Sequence, residues 1–342
     1  MKPRHARGDR RRMNVRLLLT DPIPRAFADR LRSMLPAGVS LDVVSDDSEA
    51  EFARCAQDAD VLVVAHRHIG AHELAFAPNV KLVHKLGAGY DNLDTTALRE
   101  RGVAAAYTPG VNAGAVAEHT IMLMLAVVKR LAEAESATRA NRWPDRQLID
   151  AGIGELAGAS VGLIGFGATG RAVAERLIGF GVEVRYTATH RADSEVESRL
   201  RASYLPLDEL LGWSSIVSVH VALTEQTRRL IGAPQFARMR PGVILINTSR
   251  GEVVDESALL QALERGHVGG AGLDVLEHEA PGGNPFAAHP RAIVTPHIAG
   301  ASRGSVARGM QIMLTNIGRF VQGQPPIHPV PGTEQQTLHS AH

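Results

Sequence analysis

The stretch Val161-Gly-Leu-Ile-Gly165-Phe-Gly167-Ala-Thr-Gly170 decides how the rest of this chain is read. It sets Gly-x-Gly-x-x-Gly directly after a short apolar run and at the opening of a helical segment. Each glycine has a physical task in that setting. Gly165 permits a tight turn, Gly167 lets a backbone approach a pyrophosphate, and Gly170 allows close helix–strand packing. Unpaired N–H groups at the helix start, with Ala168 and Thr169 among them, would then face the phosphates. A glycine triplet alone also suits an ordinary turn. Its place between strand and helix is what points to a dinucleotide.

Outward from this loop the apolar runs repeat. Short strands are expected at Ser160–Ile164, Glu183–Thr187, Ile216–His220, Val243–Asn247, Gly270–Asp274 and Ala292–Thr295. Helical spacing intervenes, as at Ala168–Gly179 and Glu256–Arg265. Upstream, Val15–Thr20, Leu41–Val44, Val61–Ala65 and Lys81–His84 read as strands around a helix at Ala26–Leu35. Strands alternating with helices predict a parallel sheet covered on both faces. The fold class expected is therefore α/β, with two doubly wound parallel-sheet domains. The nucleotide-binding one is Rossmann-type, and a cleft is expected between them. Ala113–Leu131 is apolar nearly all round, so it is expected to be a helix buried on most sides. Ser305–Val321 reads as a helix returning to the first domain, and Gln324–His342 as a frayed end. The division expected is 13–112 with 300–331 as the substrate domain, 113–299 as the dinucleotide domain, and tails at 1–12 and 332–342.

The bulk numbers narrow the function. The 342 residues carry a net charge of +1, yet the first twelve hold six basic side chains and one acid. The remainder is slightly acidic, without the field expected of a nucleic-acid binder. The basic start reads as a solvated tail. Val15–Leu19 is too short for a signal-peptide core, and Asp21, Pro22 and Pro24 end it. No run approaches the ~20 apolar residues of a membrane span. Cys55 stands alone, which fits a reducing cytoplasm.

Cofactor choice is read ~20 residues past the glycines, where an acid would hold ribose hydroxyls. The strand there ends in Thr187-Ala-Thr189-His190-Arg191, with no carboxylate. Hydroxyls, an imidazole and a guanidinium suit a 2′-phosphate instead, so NADP is expected to be preferred over NAD.

Three reactive side chains follow three of the expected strands. They are Arg250 in Asn247-Thr-Ser-Arg-Gly251, Glu279 in Asp274-Val-Leu-Glu-His-Glu279, and His297 in Thr295-Pro-His-Ile-Ala-Gly300. In open α/β sheets ligands sit beyond the carboxyl ends of the strands. Reduction of a 2-keto acid needs a bidentate cation for the carboxylate and a proton donor for the carbonyl oxygen. A histidine beside a carboxylate supplies the second. Singly, each residue has a duller reading as a surface ion pair, a loop histidine or a solvated acid. Their ordered occurrence after one dinucleotide loop favours chemistry.

On these motifs the sequence resembles the D-isomer-specific 2-hydroxyacid dehydrogenases, from about Val15 to Val321. Lys85-Leu-Gly-Ala-Gly-Tyr-Asp-Asn-Leu-Asp94 resembles the family's substrate-carboxylate loop, and Thr108–His119 its hinge and interdomain helix. Gly165–Gly170, Asn247–Gly251, Gly272–Glu279 and Thr295–Gly300 resemble its cofactor and catalytic segments. The resemblance implies that Arg250 binds the substrate, that His297 is the general acid/base and that Glu279 is its partner. Backbone N–H groups of Ala88 and Gly89 would add to the carboxylate anchor. Thr248, Asp274, His297 and Gly300 would lie at the nicotinamide end. A homodimer is implied as well, and glyoxylate or hydroxypyruvate as substrate.

Two departures stand out. Ala280 follows Glu279 where the family often has Pro, and Ala65-His66-Arg67-His68 stands where it commonly has Arg. His66 and His68 lack further ligands nearby and read as loop. His119 reads as packing, and His220 as a strand end close to the cofactor. Two other functions remain open at this point: a dinucleotide-sensing, corepressor-like binding protein, and a formate- or phosphite-oxidising relative.

Overall fold

The computed structural model describes residues 14–334. The basic start at 1–12 and the last eight residues lie outside that range. The chain forms two compact units. One takes the chain up to Val111 together with the chain from Val306 onward, and the other runs Asn112–Ser305. Each is built on its own parallel sheet.

The first unit has five strands: β1 (Val15–Leu19), β2 (Val39–Val43), β3 (Val61–Val64), β4 (Leu82–Lys85) and β5 (Ala104–Ala106). Their order is β2-β1-β3-β4-β5, with every pairing parallel. β3 and β4 are buried at every residue. That is the expected signature of strands covered on both faces. One face packs Phe52, Leu74 and Leu98. The other receives Met313, Ile317 and Phe320 from the helix Arg303–Val321.

The expectation of a frayed end from Gln324 does not hold as far as Thr333. Asn316, buried on the helix Arg303–Val321, bonds both ways with the Ile327 backbone. Pro329 bridges Ala106, and Val330, fully buried, donates its N–H to the Ala105 carbonyl. Thr333 adds a hydroxyl to that same carbonyl at 3.3 Å. The segment thereby covers the open edge of β5, and a proline is tolerated at such an edge.

The second unit has seven strands: β6 (Ser160–Ile164), β7 (Glu183–Thr187), β8 (Ala202–Tyr204), β9 (Ile216–Val219), β10 (Val243–Asn247), β11 (Val268–Leu273) and β12 (Ala292–Val294). The order is β12-β11-β10-β9-β6-β7-β8, again parallel throughout. The chain reverses direction across the sheet between β6 and β9, so the glycine loop after β6 sits at the topological switch point.

The apolar helix is shorter than its sequence predicts. It runs Ala113–Val128 rather than to Leu131. Arg130 takes a left-handed φ of 52° and its guanidinium donates to the carbonyls of Ala151 and Gly152, which turns the chain away. Ten of its residues are buried, but Met122 is 46% exposed, so one stripe is not covered within the unit. Among the described residues no helix is long and apolar enough to cross a membrane.

Candidate active site

The glycine loop has the geometry its sequence predicts. Gly165 adopts φ +100°, and a Cβ there would lie 2.6 Å from the His220 carbonyl oxygen. A Cβ on Gly170 would lie 2.3 Å from the Gly165 oxygen, so the helix Ala168–Leu177 can start only with hydrogen at that position. Gly167 is exposed, and a Cβ there would meet nothing. The loop thus closes tightly on its own sheet and leaves its outer side open to the first turn of a helix. That is the cradle a pyrophosphate requires, and the residues present fit a dinucleotide.

Behind the loop Phe166 stacks on buried Tyr186, ring centroids 3.9 Å apart. The Tyr186 hydroxyl donates to Glu197 at 2.7 Å and accepts from the Ala192 N–H. Glu197 also receives Nε and Nη2 of Arg191, both at 2.9 Å. Hydrogen bonds from Arg191 and Tyr186 hold the Glu197 carboxyl below the usual carboxylate range. Thr189, His190 and Arg191 are all exposed at this strand end. A carboxylate therefore does reach this strand end, but it comes from the helix Ser194–Leu200 and engages Arg191.

The reactive residues come from consecutive strand ends. After β10, buried Asn247 organises a tight turn. Its amide oxygen accepts from Ser249 N–H and hydroxyl at 3.0 and 2.9 Å, and its Nδ2 donates to the Arg250 carbonyl at 2.8 Å. Gly251 follows in contact with the segment after β11, where a Cβ would lie 2.0 Å from the Leu276 carbonyl carbon. This close approach brings the Arg250 and Glu279 segments together. The second of them is held by Glu256, whose carboxylate accepts the Glu277 N–H at 2.6 Å.

His297 Nδ1 lies 2.7 Å from Glu279 Oε2, and both side chains are partly exposed. Burial pushes the Glu279 carboxyl up. The hydrogen bond and charge of His297, the Leu276 N–H and the charge of Arg250 outweigh it, leaving that carboxyl below its ordinary value. Arg250, Glu279 and His297 are thus gathered electrostatically within one unit. His297 itself has a left-handed φ of 52°. Its turn is pinned by buried Asp274, whose carboxylate accepts the N–H groups of Ile298 and Ala299 at 3.0 and 2.8 Å.

Other residues named from the sequence fall as follows. Thr248 shares a 3.0 Å hydrogen bond with Thr120. Gly300 packs against Asn112, where a Cβ would be 2.7 Å from the amide nitrogen. His220 is half-buried with Nε2 on the Ser218 hydroxyl, and desolvation of the ring pushes it down to about 4. In the first unit, Gly87 has φ +124° and exchanges hydrogen bonds with Thr108, which shapes the half-buried Ala88–Gly89 loop.

Sequence reasoning missed Asn247, Thr120, Glu256, Glu197 and above all His119. It treated His119 as packing, whereas Nε2 of that residue reaches Thr295 Oγ1 at 2.9 Å. The Asn247-Thr-Ser turn signal could have found Asn247. The others are joined to their partners only by the fold. Among the described residues no group of three or more histidines, cysteines and acids could hold a metal.

Known proteins place these features. Residues 121–299 match the D-isomer specific 2-hydroxyacid dehydrogenase, NAD binding domain. A glyoxylate reductase of Korarchaeum cryptofilum is 34% identical over 92% of this chain and 95% of its own. The crystal structure of a glyoxylate reductase from Paecilomyes thermophila superposes with a TM-score of 0.82 at 30% identity, covering 93% of this chain and 98% of that one. The D-lactate dehydrogenase of Aquifex aeolicus, solved with NAD and lactic acid, gives 0.81 at 28% identity, over 90% and 96% of the two chains. Agreement along nearly the whole length, centred on the segments that carry the glycine loop and the His297–Glu279 pair, means that this chain belongs to the D-isomer specific 2-hydroxyacid dehydrogenase family.

Proposed function

We propose that the protein reduces a small 2-keto acid to the 2-hydroxy acid, the D isomer where the product is chiral, with glyoxylate and hydroxypyruvate as first substrates. The observation that carries this reading is the 2.7 Å His297–Glu279 pair beside Arg250, in the unit that also holds the glycine loop. The nicotinamide supplies the hydride when bound. His297, oriented through Nδ1 by Glu279, delivers a proton from Nε2 to the carbonyl oxygen. Glu279 stabilises the imidazolium form that does so. Arg250 anchors the carboxylate and polarises the carbonyl. The N–H groups of Ala88 and Gly89 are proposed as further carboxylate donors. Gly165, Gly167, Ala168, Thr169 and Gly170 hold the pyrophosphate in this reading. Thr248, Asp274 and Gly300 are assigned to the nicotinamide end.

NADP is the proposed preferred cofactor, with Thr189, His190 and Arg191 as the phosphate-binding group. The exposed Thr189 and His190 support it, with Arg191 beside them, although the Nε edge of that guanidinium is already engaged by Glu197. A cytoplasmic homodimer is proposed too. Met122, Leu131 and Phe180 are exposed around a groove on the second unit, a patch of the kind that a second copy would cover.

The test is a matrix of NADPH and NADH against glyoxylate, hydroxypyruvate, pyruvate and branched keto acids. Turnover of the small acids with higher kcat/KM for NADPH is expected. Tight cofactor binding without turnover of any keto acid would overturn the enzyme reading. A clear NADH preference would overturn only the phosphate assignment. Sedimentation equilibrium checks the dimer, and a monomer at micromolar concentration would contradict it.

A further inference from the structure

His119 lies on the helix Ala113–Val128, far along the chain from the reactive turn, yet it touches that turn. Its Nε2 is 2.9 Å from Thr295 Oγ1 and 3.4 Å from Asp274 Oδ1. Thr295 Oγ1 is in turn 2.6 Å from Asp274 Oδ1. The Asp274 side chain is 1% exposed and that of His119 12%. An ionised carboxylate only accepts, so the single hydroxyl proton of Thr295 goes to Asp274. The hydroxyl must then accept from the imidazole, which places a proton on Nε2 of His119.

The far end of this chain is the turn that bears His297. Asp274 Oδ1 also accepts the Ile298 N–H, Oδ2 accepts the Ala299 N–H, and the Asp274 carbonyl accepts the His297 N–H at 2.8 Å. These bonds hold His297 at φ 52°, a conformation that non-glycine residues rarely keep without support. In that conformation Nδ1 meets Glu279.

We propose that His119 is a positioning residue for the reaction. Its Nε2–H fixes the Thr295 hydroxyl on Asp274 and so keeps the His297 turn in register with Glu279. The inference rests on the reading of His297 as proton donor. It adds to that reading a residue whose side chain need not touch substrate.

The test compares His119→Leu, His119→Gln, Thr295→Val, the double variant and His297→Ala. In His119→Leu, kcat should fall roughly ten-fold while the NADPH dissociation constant stays within about two-fold. His119→Gln keeps an N–H donor of similar reach and should recover most of that loss. Thr295→Val should fall as His119→Leu does, and the double variant should be no worse than the poorer single one, because both break one chain. Weaker pairing with Glu279 disfavours the imidazolium, so the alkaline limb of the kcat profile should move to lower pH in these variants. Should His119→Leu not fold, Thr295→Val carries the same expectations.

Wild-type kcat in both His119→Leu and Thr295→Val, with His297→Ala inactive, would overturn the positioning role alone. Gln no better than Leu, or effects that multiply in the double variant, would also overturn it. Wild-type turnover in His297→Ala would overturn both this inference and the proton-donor reading.

Discussion

The two parallel sheets differ at the point where each reverses direction. In the five-stranded sheet that point lies between β1 and β3, and the chain fills it itself. The Asp21 carboxylate, just past β1, accepts the N–H groups of Ala65 and His66 at 2.8 and 2.7 Å and the Thr20 hydroxyl at 2.9 Å. In the seven-stranded sheet the equivalent point carries Gly165–Gly170, where exposed Gly167 presents only hydrogen on the loop's outer side. One unit keeps its anion as part of the fold, and in the proposed reading the other leaves the place for a ligand's phosphates. In that reading the same topology serves stability in one unit and binding in the other. What separates them is a carboxylate against the bare Cα positions of Gly165, Gly167 and Gly170.

The largest effect that tests this contrast concerns chemistry. His297→Ala should lower kcat by about 10²- to 10⁴-fold while sparing cofactor binding, as steady-state kinetics and a fluorescence titration would show. Equal loss of binding would mean that the turn serves the cofactor instead. Next is Gly165→Ala, which forces a Cβ to 2.6 Å from the His220 oxygen at φ +100°. It should destabilise by on the order of 2–4 kcal/mol and weaken dinucleotide binding at least ten-fold, read by denaturant unfolding and by titration. An unaffected dissociation constant would detach the glycine loop from the cofactor.

Acid stability probes the five-stranded unit. His84 on β4 is fully buried, neither ring nitrogen bonds another described residue, and burial pushes it down to about 4. Unfolding returns it to an ordinary value near 6.5. Between those values the unfolded chain holds the extra proton, so stability is full above about pH 6.5 and drains as pH falls towards 4. The loss from this residue is on the order of 3 kcal/mol. His84→Leu should flatten the slope of unfolding free energy against pH in that window. An unchanged slope would show that other groups govern acid unfolding. The smallest effect expected is that of Asp21→Ala, about 1–3 kcal/mol from two orphaned N–H groups. Added phosphate that restored stability to this variant would show that the first switch point accepts an anion in place of the carboxylate.

Much of this architecture was legible because period and glycine spacing are local signals. Val61–Val64 and Leu82–Lys85 are apolar runs bounded by turn residues, and Gly165–Gly170 needs no partner to be read. β5 escaped because Ala104-Ala-Ala106 carries no strand preference, and it exists because β4 and Pro329 flank it. The cover by Asn316, Val330 and Thr333 escaped because polar and proline-rich sequence looks like a loose end until its partners are known. Arg250, Glu279 and His297 could be named from their motifs. The residues that hold them could not. Asp274 is read as a cofactor contact, but its bonds to Ile298 and Ala299 depend on the fold, and His119 reaches Thr295 across 176 positions. Reactive groups leave marks in short motifs, whereas their supports are set by tertiary packing.

Hydride transfer to a small 2-keto acid with D stereochemistry is the step on which the proposed function rests. Incubation with hydroxypyruvate and a reduced nicotinamide cofactor carrying deuterium at both C4 positions, followed by chiral separation and mass spectrometry, is the measurement. The expected product is D-glycerate carrying deuterium at C2. Unlabelled glycerate or label in the L isomer would contradict it.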